Sequence, residues 1–183
     1  MQFEKTILTK DGKCCILRGA NGDDAEEFYR FFQLTHGQTD YLLSYPEEKG
    51  FDVDAERKFL AEADASDDAI ELCAIVDGII VGSAGISPVG GMLKLKHRAE
   101  FGITVEKSYW GRGIGRALTD ACIALARQAG FLQLELDVVG DNLPALSLYK
   151  SVGFQEYGRN PRGFRTKDGR WQELVLMRLE LDT

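Results

Sequence analysis

Apolar residues change their period along this chain. They run almost unbroken over Ile70–Val76 and Ile79–Ser87, with Asp77-Gly78 between. Two such runs around Asp-Gly predict a β-hairpin, because that pair suits a tight turn with positive φ. Upstream, Lys13–Arg18 reads as a first strand. Asn21 or Asp23 can cap a helix running to about Thr35, with Phe28, Phe31, Phe32 and Leu34 at its apolar positions. Gly37–Gly50 reads as a loop carrying Tyr41, Leu42, Leu43 and Tyr45, and a second helix over about Val53–Ala63 follows Asp52 as cap. Downstream, Lys96–Val105 is a strand, a glycine-rich turn follows, and a helix over Ala117–Ala129 ends before Gly130. Leu132–Val139 alternates like a strand, Pro144 opens a short helix ending near Ser151, and Phe154–Phe164 and Trp171–Leu181 flank a second hairpin turn, Lys167-Asp168-Gly169-Arg170.

That order, with its adjacent hairpins, predicts an α/β (α+β) domain: a mixed sheet with helices on both faces rather than a purely alternating βα chain. The 183 residues suit a single domain over 1–183. Their 44% hydrophobic and 28% charged content is that of an ordinary globular protein. A net charge of −7 argues against nucleic acid or an anionic membrane as partner and is compatible with a cationic substrate such as an amine. No apolar run reaches membrane-span length, and Met1-Gln2-Phe3-Glu4-Lys5 lacks a signal-peptide core, so the expected location is cytoplasmic. Cys14, Cys15, Cys73 and Cys122 show no metal spacing, and the two histidines, His36 and His97, are far apart in sequence, so no metal is expected.

The chemistry concentrates in Tyr109-Trp110-Gly111-Arg112-Gly113-Ile114-Gly115-Arg116. A strand that turns through glycines into a helix presents unpaired backbone N–H groups at the positive end of the helix dipole, which is an anion site. A dinucleotide fold is the rival, since Asp137 stands at the end of the next strand. Its third glycine would fall at position 116, which is Arg, and the upstream half is hairpin-rich. A nucleoside-triphosphate loop is excluded, because no Gly-Lys-Ser/Thr occurs.

Trp110-Gly111-Arg112-Gly113-Ile114-Gly115 resembles the pyrophosphate-gripping segment of the GCN5-related N-acetyltransferases, Gln/Arg-x-x-Gly-x-Gly/Ala, with Trp110 replacing the usual Gln or Arg. Asn142-Leu143-Pro144-Ala145-Leu146-Ser147-Leu148-Tyr149, followed by Gly153-Phe154, is similar to that family's second signature. The resemblance implies a mostly antiparallel central sheet of about seven strands. It also implies acetyl-CoA as acetyl donor without a metal, an amine acceptor, and a homodimer as one assembly common among similar proteins. It places the cofactor on Gly111, Arg112, Gly113, Ile114, Gly115 and Arg116, on the backbone of Ile103, Thr104 and Val105, and on Asn142 and Tyr149. Tyr149 becomes the candidate general acid and Asn142 a partner of the cofactor arm, although a core tyrosine and a helix cap are the plain alternatives. Glu100, then Asp137, are the candidate bases, on two strands expected to splay around the thioester. The acceptor is expected on the first two helices, their loop and the last hairpin, with the aromatics of Asp40–Glu48 able to host a cation. A non-catalytic acyl-CoA-binding or regulatory module on the same scaffold is the alternative function.

Overall fold

The computed structural model describes residues 3–48 and 52–181. One sheet of eight strands runs in the order β1-β2-β3-β4-β5-β6-β8-β7. The strands are β1 (Glu4–Leu8), β2 (Cys14–Gly19), β3 (Ile70–Val76), β4 (Ile79–Pro88), β5 (Arg98–Val105), β6 (Gln133–Val139), β7 (Gln155–Arg165) and β8 (Trp171–Glu180). The expected seven strands become eight because Glu4–Leu8 pairs with β2 as an edge strand. Its residues are largely exposed, so it carries no buried alternation for a sequence reading to find. Every neighbouring pair is antiparallel except β5 with β6.

Strand alternation divides the core between the two faces. Leu72, Ala74, Val81, Leu134 and Met177 pack with Leu118 and Cys122 of α3 (Ile114–Gln128) and Leu146 of α4 (Leu143–Ser151). Cys73 and Ile80 pack with Phe28 and Phe31 of α1 (Ala25–His36) and Leu60 of α2 (Val53–Ala65). The hairpin turn forms as its sequence requires, with Asp77 at φ 53° and Gly78 at φ 80°. Asp52 caps α2 through the Ala55 N–H, and Asn21 caps a short 3₁₀ turn, Gly22–Asp24, that leads into α1. Among the described residues, no helix is long and apolar enough to cross a membrane.

Two local departures prepare the site. β5 and β6 pair only over Arg98–Glu100 with Gln133–Glu135 and then separate, leaving a wedge. Helix α3 begins at Ile114, three residues earlier than its apolar run predicts, directly out of the glycine turn.

Candidate functional site

At the wedge, the edge of β5 that would face β6 is open. The Glu106 N–H donates to Val81 of β4, so by alternation the main-chain groups of Phe101, Ile103 and Val105 point into the wedge. The Val105 carbonyl there accepts the Trp110 indole N–H at 2.6 Å. Trp110, the departure from the family's usual residue, thus braces the strand end against the glycine turn.

In that turn Gly111 has φ 73° and Gly113 φ 94°. A left-handed backbone costs a residue with a Cβ about 1–2 kcal/mol, which is why glycine recurs. Gly113 is the N-cap of α3, and no side chain caps this helix. The first-turn amides of Ile114, Gly115 and Arg116 therefore keep their donors for something outside the helix. The Arg112 side chain turns the other way. It pairs with Asp11 at 2.6 Å and lies over the Tyr109 ring, while its carbonyl accepts from the Lys10 N–H. Only the main chain of Arg112 and Ile114 serves the turn, since the Ile114 side chain is fully buried in the core.

A cavity of about 700 Å³ opens along this edge. Ile103, Thr104 and Val105, Gly111, Gly113, Gly115 and Arg116, and Asn142, Ser147 and Tyr149 line it, so most of the sequence-predicted cofactor positions converge on one space. Lys10 of the β1–β2 turn also lines it; sequence reasoning missed it, because only the fold carries that turn to the glycine loop. Asn142 does cap α4, its Oδ1 accepting from Ala145 N at 3.3 Å, while also facing the cavity. Tyr149 is buried, edge-on to Phe101 with ring centroids 6.2 Å apart, and burial pushes its phenol above the ordinary range.

A second cavity of about 420 Å³ lies on the opposite face, between α2 and the sheet. Phe59 and Ala63 of α2 stand over Glu71, Ser83, Gly85, Glu100 and Gly102, and Ile103 and Thr104 line both cavities. Glu100 is thus inside the site. Asp137 lines neither cavity, although burial, then Glu135, raises its carboxyl. Glu135 itself is held below the usual range by Arg98, which forks onto both its oxygens where β5 and β6 are still paired. Glu71 was not among the sequence candidates. Its signal was a lone charge inside the apolar run Ile70-Glu71-Leu72-Cys73-Ala74. Burial pushes its carboxyl up to about 8, with Glu56 of α2 adding to the effect.

In the loop after α1, one aromatic is taken up within the chain. Tyr45 holds the chain's own Lys167, whose ammonium sits 4.0 Å from the ring centre and pairs with Glu47. Thr39, Tyr41 and Leu42 of this loop line the first cavity instead of the α2 cavity. Lys49 and Gly50, at the end of the predicted loop, lie outside the described residues. The arginines of the last hairpin are likewise engaged: Arg159 with Glu156 and Glu173, and Arg162 and Arg165 on the Trp171 ring.

Comparison with known proteins gives a consistent picture. A family model described as acetyltransferase (GNAT) family matches residues 25–154. The chain is 30% identical over 106 residues to the L-amino acid N-acyltransferase MnaT of Escherichia coli, covering 58% of this chain and 61% of that protein. It is 42% identical over 88 residues to the N-alpha-acetyltransferase RimI of Mycobacterium tuberculosis, covering 48% and 53%. Both alignments span less than two thirds of the relative's length. The fold matches that of yncA from Salmonella typhimurium, solved with its cofactor acetyl-CoA, at a TM-score of 0.81 and 23% identity over 92% of this chain and 94% of that one.

Proposed function

The chain belongs to the GNAT family of acetyltransferases, and from that membership we propose that it moves the acetyl group of acetyl-CoA onto the α-amine of an amino acid or a peptide N-terminus. The observation that carries this reading is that Ile103 and Thr104, beside the β5–β6 wedge, line two cavities at once. The α-amine is favoured by the activities named for MnaT and RimI. Physics favours it too: an α-amine, with a pKa of about 7.7–8, loses its proton far more readily than a lysine amine at about 10.4.

The first cavity fits the cofactor chemically. A diphosphate suits the uncapped amides of Ile114, Gly115 and Arg116, with Lys10 and Arg116 adding positive charge. Gly111 and Gly113 supply the backbone conformation, and Arg112 secures the turn from behind through Asp11. An extended arm suits the open β5 edge, where Ile103 and Val105 present main-chain groups as to an added strand. Asn142 and Tyr149 close the far wall. Acetyl-CoA supplies an acyl carbon activated as a thioester. The leaving sulfur needs a proton, and we assign its delivery to Tyr149, which lines the cavity and is kept protonated by burial. The amine approaches through the α2 cavity and sheds its proton to a carboxylate on that side. Glu100 on β5 and Asp137 on β6 are the exposed carboxylates nearest the fork.

The test is thiol release with acetyl-CoA and a panel of L-amino acids and alanine-initiated peptides. We expect free CoA from α-amines, and a Tyr149→Phe variant with kcat about 10²-fold lower but unaltered acetyl-CoA affinity by calorimetry. Acetyl-CoA binding without thiol release from any amine would instead establish the non-catalytic acyl-CoA module. An unchanged kcat in Tyr149→Phe would remove that residue from the chemistry.

A further inference from the structure

The α2 face of the sheet carries a carboxylate that the mechanism above leaves unused. Glu71 is the second residue of β3, opposite Gly85 of β4, which lies opposite Gly102 of β5. These three positions form one row across the sheet, and the two glycines leave it bare beyond Glu71. A Cβ at Gly85 would collide with Glu71 Oε2, so the carboxylate occupies the space that a side chain at 85 would fill. Nothing stands within 4 Å of where a Cβ on Gly102 would be. Strands in a sheet are about 4.8 Å apart, so a carboxylate lying over β4 is roughly one strand spacing from Gly102, where β5 has just parted from β6.

The surroundings of Glu71 offer no compensating cation. Ser83 of β4 hydrogen-bonds its carboxylate and Glu56 faces it from α2, while its own charge raises the Cys122 thiol of α3 on the far side of the sheet. Cys73 follows it on its own strand face, and Glu100 shares its cavity from β5. No lysine, arginine or histidine is among the described residues lining that cavity. Glu71 is half-buried at the cavity wall; a carboxylate drawn out of water without a positive partner is costly, and an incoming ammonium group is such a partner.

We propose that Glu71 receives the ammonium group of the acceptor in the α2 cavity and takes the proton it must lose before attacking the thioester. The inference rests on the acetyl-transfer reading and goes further by naming the residue that does this. Two hydrogens leave the ammonium nitrogen. One passes to Glu71 and on to solvent; the other replaces the proton that Tyr149 gives to the departing thiolate. The nitrogen lone pair forms the C–N bond as the C–S bond breaks. Glu100, at the same cavity, draws the cation in. Burial raises the Glu71 carboxyl, which brings it closer to an α-amine, at about 7.7–8, than to a lysine amine, at about 10.4.

Glu71→Gln keeps the shape and removes the proton acceptor. With the best wild-type acceptor among L-amino acids and an alanine-initiated peptide, we expect kcat/KM to fall about 10²-fold at pH 7. That deficit should shrink to below about fivefold at pH 10, where the amine is already neutral, with the acetyl-CoA KM unchanged. A deficit independent of pH, a loss below about threefold at pH 7, or the pH-dependent deficit in Glu100→Gln instead of Glu71→Gln would overturn the proposal. A second readout does not need turnover. The Glu71 δ-carbon resonance of the wild-type protein should titrate at least about one pH unit lower when L-alaninamide is added, because the ammonium group stabilises the carboxylate. No such shift overturns the proposal even in an active enzyme. A shift in a protein that releases no CoA refutes acetyl transfer alone and leaves the ammonium site standing.

Discussion

Single residues decide this site through backbone as much as through side chains. Gly113 shows it most directly. A Cβ there would meet only Lys10 Cγ at 3.9 Å, ordinary contact, so space is not the constraint; φ of 94° is. Gly113→Ala should therefore cost about 1–2 kcal/mol of backbone strain and push the turn away from the geometry that aims the α3 amides. We expect acetyl-CoA affinity to fall about tenfold by calorimetry, with kcat largely kept. Gly91→Ala, in open space and without positive φ, should leave affinity unchanged. This glycine pattern was legible in the sequence, since few other residues adopt that backbone. The direction of Arg112 was not, because its partner Asp11 is 101 positions away. Nor was Glu71: a charge inside an apolar strand marks an anomaly, but only the Glu71–Gly85–Gly102 row shows what it faces.

At the level of elements, helices and hairpins followed from periodicity, caps and Asp-Gly turns, while the wedge did not. That two strands stop pairing after three residues depends on what flanks them in space. The loop after α1 shows what only the fold decides: its aromatics could host a cation or cover the core, and Tyr45 takes the chain's own Lys167. The Lys167 amide also bonds the Tyr45 hydroxyl, and Gln172 bonds the Asp40 carbonyl, so the β7–β8 hairpin fastens this loop over the first cavity. Exposed contacts of this kind contribute about 0–1 kcal/mol each. Lys167→Ala and Gln172→Ala remove the side-chain contacts, leaving the Lys167 main-chain bond, and should lower Tm by about 2–4 °C for each kcal/mol lost. The acetyl-CoA KM should nevertheless rise several-fold, because Thr39, Tyr41 and Leu42 lose their support. A differential-scanning trace paired with steady-state kinetics separates the two effects.

For the whole molecule, the two raised carboxyls on the α2 side make stability depend on pH. Burial holds Glu71 at about 8 and Glu56 at about 7, whereas both ionise near 4.5 once unfolded. Below pH 4.5 neither state is ionised at these positions. As pH climbs, the unfolded chain releases its protons first, so the folded state loses ground until its own carboxyls ionise near 7 and 8. Glu71→Gln cannot ionise. Its Tm should approach that of the wild type below pH 4.5 and exceed it by a margin that widens as pH rises to 8.5; a difference that stays flat with pH would mean that Glu71 is solvated. The same substitution would then raise stability while removing activity, the usual exchange at a functional position. One consequence of the architecture reaches into enzymology. In the proposed reaction donor and acceptor enter by separate cavities that have only Ile103 and Thr104 in common. Neither should obstruct the other's arrival, so initial-rate plots should intersect rather than run parallel. Spent CoA should be a competitive inhibitor against its parent thioester but not against the amine.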